Sequence, residues 1–88
     1  MPFLNVKDAV KKAAEYFTDL YQSQFGNVLV EEIEQDGNEW LITLGYDIPG
    51  DIRSVLAGKP VRHFKLFSIN GDTGEVKSMK IREVEHVE

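Results

Sequence analysis

The apolar periodicity of this 88-residue chain changes after residue 25, and this change limits the fold more than any other feature. Between Asn5 and Phe25, apolar residues recur every three or four positions, which predicts one amphipathic helix. Asn5 is a good N-cap, and Gly26 is the expected residue just after the helix. The predicted apolar stripe comprises Val6, Val10, Ala13, Phe17, Leu20 and Tyr21.

The remaining sequence alternates between apolar and polar residues and predicts four strands, at 28–35, 39–47, 61–69 and 75–84. Asp36-Gly37-Asn38 is a strong turn signal between the first two strands. One helix followed by two hairpins predicts an α+β fold with one N-terminal amphipathic helix packed on a four-stranded antiparallel sheet (α-β-β-β-β). At this length, residues 1–88 fit a single domain.

The sequences of two strands predict which side chains lie on each face of the sheet. In the second strand, we expect the larger apolar set to lie under the helix: Trp40, Ile42, Leu44 and Tyr46. Leu41 and several of Val28, Val30, Phe64, Leu66 and Val76 then face away, toward an uncovered rear face. In the third strand, alternation breaks between Leu66 and Phe67, which indicates either a bulge or two partly covered faces.

The connection at 48–60 is much longer than the two to five residues of an ordinary hairpin loop. Asp51 is placed to cap one helical turn that Gly58 ends. We expect this connection and the rear face of the sheet to be the surfaces that bind a protein partner or a second copy of the chain. The candidate residues are Asp51, Ile52, Arg53, Val55, Leu56, Lys59, Arg62 and Leu41.

Composition and charge exclude several classes of function. A net charge of −5 and a pI near 5.0 argue against nucleic-acid binding. The longest apolar runs are far shorter than a membrane span, and the N-terminus lacks the pattern of an export signal, so we expect a cytoplasmic protein. The absence of cysteine excludes disulfides and thiolate metal sites.

No motif predicts a catalytic, metal-binding or cofactor-binding residue. The stretch NGDTGEV (70–76) fails the EF-hand pattern and the P-loop pattern, and it suits a hairpin turn instead. His63, beside Arg62 and Lys65, is expected to be a surface histidine, and no serine lies on a nucleophile elbow. We therefore expect a protein that is not an enzyme.

Charge is distributed unevenly between the two hairpins. The first is acidic, and the region from the connection to the last strand is basic, with Arg53, Lys59, Arg62, Lys65, Lys77, Lys80 and Arg82. Cross-strand ion pairs on a solvated face explain this pattern most simply. The alternative is a patch that orients a protein partner or a second copy of the chain.

The last hairpin, FKLFSINGDTGEVKSM (64–79), resembles the terminal hairpin of PepSY domains through Thr73-Gly74-Glu75-Val76. The N-terminal helix and the hairpin VEEIEQDGNEWLITL (30–44) are similar in order to that family. The resemblance implies a non-enzymatic, cystatin-like α+β module thought to bind or inhibit peptidases. It carries over no functional residue, because the matching positions are turn residues.

A weaker resemblance is to the gas-vesicle accessory protein O family. It rests on Trp40, Ile48-Pro49, Asp51, Val55-Leu56-Ala57 and Gly74-Glu75-Val76 in the same order. This resemblance implies a cytoplasmic accessory protein.

Our leading hypothesis is a small non-catalytic interaction module that binds a protein partner or forms a homodimer. The alternative is a small-molecule binder or minor enzyme with a pocket between the helix, Trp40, Tyr46 and the 48–60 connection.

Overall fold

The computed structural model describes residues 3–22, 24–58 and 61–82 and confirms the α+β fold. In chain order the elements are α1 (Val6–Tyr21), β1 (Gly26–Asp36), β2 (Glu39–Asp47), α2 (Ile52–Ala57), β3 (His63–Asn70) and β4 (Val76–Arg82). The four strands form one antiparallel sheet in the order β1-β2-β3-β4, and α1 packs on one side of it, the helix face. The short helix α2 lies in the connection between the hairpins.

Helix α1 begins as the sequence predicts. The Asn5 side chain accepts a hydrogen bond from the backbone N–H of Asp8 at 2.9 Å, which satisfies one free donor of the first turn. The buried side chains of α1 are Ala9, Ala13 and Phe17, so the buried stripe is centred on these three residues. Val6 and Leu20 belonged to the predicted stripe but are exposed.

The prediction that α1 extends to Phe25 and ends before Gly26 is wrong. The helix ends at Tyr21, and Gln22 takes a positive φ of 53° while its N–H donates to the Thr18 carbonyl. This earlier end lets Phe25 turn back to the sheet, where its ring lies 4.7 Å from that of Tyr46. Aromatic packing, rather than a glycine, accompanies the exit from the helix.

The core lies between α1 and the helix face of the two central strands. Ile42, Leu44 and Tyr46 of β2 are buried there, as predicted, together with Phe67 and Ile69 of β3. Trp40 lies at the edge of this core, and its indole Nε1–H donates to the Leu4 carbonyl at 2.9 Å. The segment before α1 is thereby attached to the sheet.

The register between β2 and β3 shows whether β3 has a bulge between Leu66 and Phe67. Pairing between β2 and β3 is continuous from Glu39↔Asn70 to Tyr46↔His63, so β3 has no bulge at that point. Phe67 faces the helix, and Leu66 lies half-buried on the rear face, so both faces are partly covered. The irregularity is instead in β4, where Lys77 is an extra residue opposite Ser68 and Ile69.

The turn at 70–76 has a structural explanation, as the sequence predicts. The Asn70 side chain accepts hydrogen bonds from the backbone N–H groups of Asp72 and Thr73, and Thr73 Oγ1 accepts one from the N–H of Glu75. Gly74 takes a φ of 78°, which favours glycine.

Candidate functional site

Helix α2 presents its apolar side chains to solvent. Ile52, Val55 and Leu56 are 68%, 71% and 80% exposed, and none of the six residues of α2 is buried. We call these three side chains the apolar ridge. Single exposed aliphatic residues are common, but three on adjacent positions of one helical turn form a continuous apolar surface.

The polar residues of α2 hold it against the sheet. Asp51 is the N-cap: one carboxylate oxygen accepts from the N–H of Arg53 at 3.1 Å, and the other lies 2.7 Å from Nε2 of His63. The Ser54 hydroxyl accepts a hydrogen bond from the N–H of Val61 at 3.0 Å. These contacts orient α2 with its polar side inward and the apolar ridge outward.

His63 is not the surface histidine that the sequence predicts. Its side chain is largely covered, and its ring stacks on Tyr46 at a centroid distance of 5.7 Å. The hydrogen bond from His63 is the main cause that lowers the pKa of Asp51 below its ordinary value, and the N–H of Arg53 adds to the effect. Sequence reasoning missed this pair because only the fold brings residues 51 and 63 together.

Of the other predicted partner-binding residues that the structure describes, Arg53 lies on the surface beside the ridge, and the remaining ones do not. Arg53 is exposed beside it, with Nη2 3.0 Å from Nδ1 of His63. Lys59 lies outside the described residues. Leu41 is half-buried on the rear face, where it pairs with Ser68. Asp51 is almost covered and supports the helix rather than the surface.

Arg62 is held in an ion-pair network on the rear face. Its guanidinium donates to the Asn27 carbonyl at 2.8 Å and to the carboxylates of Asp47 and Glu31, each at 3.1 Å. Hydrogen bonds from Asn27 and then Arg62 lower the pKa of Asp47. Gly45 lies beneath this network, and a Cβ there would be 2.7 Å from the Glu31 side chain.

Two further ion pairs cross the rear face. Arg82 donates to Glu32 at 2.9 Å and to the Thr43 hydroxyl at 2.7 Å. Lys77 pairs with Glu39, and this hydrogen bond is the main cause of the lowered pKa of Glu39. The acidic first hairpin and the basic later strands therefore pair within the chain.

The rear face is less apolar than the sequence predicts. Phe64 and Leu66 do face away from α1, opposite Gly45 and Thr43. Val30 and Val76 pair with Leu44 and Ile69, which places them on the helix face instead. Half-buried apolar residues and the ion pairs share the rear face, so it is not an open apolar patch.

Two surface grooves adjoin α1. One, of about 240 Å³, is lined by Leu4, Asp8, Lys11, Lys12 and Glu15. The other, of about 300 Å³, lies between α1 and β1 and is lined by Val6, Lys7, Val10, Val30 and Ile33. Neither groove includes a residue of the 48–60 connection, and the small-molecule hypothesis stays a prediction.

The described part of the chain contains no group of three His, Asp or Glu side chains placed to hold a metal ion. Within the same residues, neither helix has the length and apolar character needed to cross a membrane.

Comparisons of the chain with protein-family models, curated proteins and solved structures gave no match. The PepSY-like and gas-vesicle assignments therefore stay predictions.

Proposed function

We propose that this chain is a small non-catalytic protein-interaction domain and that the apolar ridge of α2 is its binding surface. The observation that carries this proposal is the orientation of α2. Asp51 and Ser54 are used for contacts with the fold, and the three large aliphatic residues of α2 are left in solvent. Covering the exposed fractions of the three side chains would contribute about 3 to 7 kcal/mol, since full burial of one such side chain contributes about 1.5–3 kcal/mol.

The spacing of the ridge indicates the chemistry of the partner. Ile52, Val55 and Leu56 lie at positions i, i+3 and i+4, the anchors of a helix that docks into an apolar groove. Arg53 is exposed next to the ridge. The partner we propose is a protein with an apolar groove that has a carboxylate at its rim.

The test first compares which proteins each variant of the chain captures. A direct titration of the captured partner follows. Leu56→Asp removes part of the ridge without touching a buried group. Leu29→Asp is the matched control, because Leu29 is a similarly exposed aliphatic residue on β1. We expect a partner that the unmodified chain and the Leu29 variant both capture, and that the Leu56 variant loses.

The captured partner is then purified and titrated with each variant. We expect Leu56→Asp to weaken its affinity at least tenfold, and Leu29→Asp to leave it within twofold. Equal affinities for the Leu56 variant and the unmodified chain would refute the ridge as the binding surface. Circular dichroism checks that both variants are folded.

A further inference from the structure

The two outer strands of the sheet have opposite charge. Because the strand order is β1-β2-β3-β4, β1 and β4 each have one side without a neighbouring strand in the described sheet. Rear-facing residues of β1 include Glu32 and Glu34, which pair with Thr43 and Leu41. Rear-facing residues of β4 include Lys80 and Arg82, opposite Leu66 and Phe64. The open edges therefore carry complementary charge on the same face.

Each edge strand also has a regular stretch of five residues. In β1, residues 32–36 pair with β2 without a register shift, whereas both irregularities lie before Glu32. In β4, residues 78–82 pair continuously with β3, and the bulge lies before Ser78. A regular stretch presents evenly aligned backbone N–H and C=O groups, which are what an additional strand needs.

We propose that β1 of one copy of this chain pairs antiparallel with β4 of a second copy. The register that matches the two regular stretches is Glu32↔Arg82, Ile33↔Ile81, Glu34↔Lys80, Gln35↔Met79 and Asp36↔Ser78. Every residue in this register meets one on its own face of the sheet, and both charged pairs combine opposite signs. The helices of both copies lie on the same side of the continuous sheet.

The helix face supplies the apolar part of this contact. Ile81 is 76% exposed, and Ile33 is 43% exposed. In the proposed register, these two side chains lie directly opposite each other and cover one another. The contact thus gives a role to the most exposed aliphatic residue of the sheet.

Glu34 and Lys80 would form an ion pair that exists only between two copies of the chain. Glu32 and Arg82 already pair within one chain. Among the described residues, neither Glu34 nor Lys80 forms an ion pair. A second copy would supply each with a partner of opposite charge.

Pairing between identical edges is unfavourable by the same reasoning. Two β1 strands centred on Ile33 would place Glu32 opposite Glu34, and two β4 strands centred on Lys80 would place that lysine opposite itself. Like charges directly opposite each other are destabilising. The favoured contact is therefore head to tail, which gives a ring where the rotation closes and an open chain where it does not.

The experiment is sedimentation velocity over a range of concentrations and salt. A five-residue strand contact is smaller than the roughly 1,200 Å² of a stable interface, so we expect weak association at high micromolar concentration. Glu34→Lys and Lys80→Glu should each weaken association about tenfold. The double variant, and an equimolar mixture of the two single variants, should restore it, because opposite charges then meet again at positions 34 and 80. High salt should weaken association of the unmodified chain.

The matched controls are Glu15→Lys and Lys11→Glu on the exposed side of α1, which reproduce the net charges of the two test variants. Both should associate like the unmodified chain. Tighter association of Glu34→Lys alone would show pairing between two β1 strands and overturn the proposal. A monomeric unmodified chain at every concentration, or a double variant that does not recover, would also overturn it. Because none of these substitutions lies in α2, the outcome is independent of the proposed function of the ridge.

Discussion

Helices α1 and α2 both carry apolar residues at helical spacing, yet they place them in opposite environments. Helix α1 buries Ala9, Ala13 and Phe17 against the sheet and leaves its charged residues in solvent. Helix α2 uses Asp51 and Ser54 for its contacts and leaves Ile52, Val55 and Leu56 in solvent. Apolar spacing therefore predicts that a helix forms, but the anchoring residues decide which side of it is covered.

Length explains part of this difference. The 16 residues of α1 are enough for a stripe that packs along the sheet. The six residues of α2 are far fewer than an isolated helix needs in water, so its stability depends on the N-cap and on the contacts to β3. In α1, apolar burial supplies the stability. In α2, polar contacts supply it, and the apolar residues are free for another purpose.

The largest loss of stability should come from a substitution in the buried stripe of α1. Phe17 is in contact with four aromatic rings, Tyr21, Phe25, Tyr46 and Phe67. Phe17→Ala should lower the free energy of unfolding by about 3–5 kcal/mol, because it removes a buried ring and leaves a cavity. Urea denaturation followed by circular dichroism measures this change. A loss below about 1 kcal/mol would mean that α1 does not stabilise the domain as described.

A smaller effect is expected at the start of α1. Asn5→Ala removes the acceptor for the N–H of Asp8 and should cost about 1 kcal/mol. Asn5→Asp serves as the control, since aspartate is an equally good N-cap and its charge favours the helix N-terminus. Equal midpoints in urea for the alanine and aspartate variants would contradict the role of this cap.

The attachment of α2 should depend on pH. Because the folded pKa of Asp51 lies below its unfolded value, its contribution is complete above the unfolded pKa, about 3.8. It is lost as pH falls through the lower folded pKa, when the carboxylate is protonated and its hydrogen bond to His63 is weakened. We expect faster amide exchange in α2 below that pH, at an acidity where α1 remains helical.

Asp51→Asn is the control for this experiment, because it removes the titrating group and keeps a side-chain oxygen that can cap α2. Its α2 amides should exchange without the acid transition. A carbon-13 titration of the Asp51 carboxyl that gives a midpoint above about 4 would contradict the described contact.

The smallest change in stability should come from a substitution in the apolar ridge. Leu56→Ala should change the free energy of unfolding by less than about 0.5 kcal/mol, because the side chain is 80% exposed. The same urea experiment used for Phe17 measures it. A loss above about 2 kcal/mol would show that the ridge is packed in solution, and the contrast between the two helices would then fail.

Local patterns predicted the elements but not their contacts over long separations. The alternation in β2 was sufficient to place Ile42, Leu44 and Tyr46 under the helix, since strand geometry relates neighbouring residues directly. The cap at Asp51 was predicted for the same reason. The end of α1 was not, because it depends on Phe25 meeting Tyr46, a residue of a distant strand.

The candidate site shows the same limit. The short helical turn of α2 follows from local sequence, but the burial of His63 requires the pairing of β2 with β3. Arg62 was expected on a binding surface, yet its ion pair joins it to Glu31, 31 positions away. No local pattern distinguishes an arginine that is paired across the sheet from one that is free.

The hydrogen bond from Trp40 to Leu4 has a spectroscopic consequence. Trp40 is the only tryptophan, and its indole contacts the segment that leads into α1, with the Phe3 ring centroid 6.0 Å away. Its emission should therefore report the separation of that segment from the sheet. Because α2 is attached near the opposite end of β2, beside Tyr46 and His63, melting of α2 alone should leave the emission unchanged. The chain thus contains a native optical probe that can distinguish loss of one helix from loss of the other.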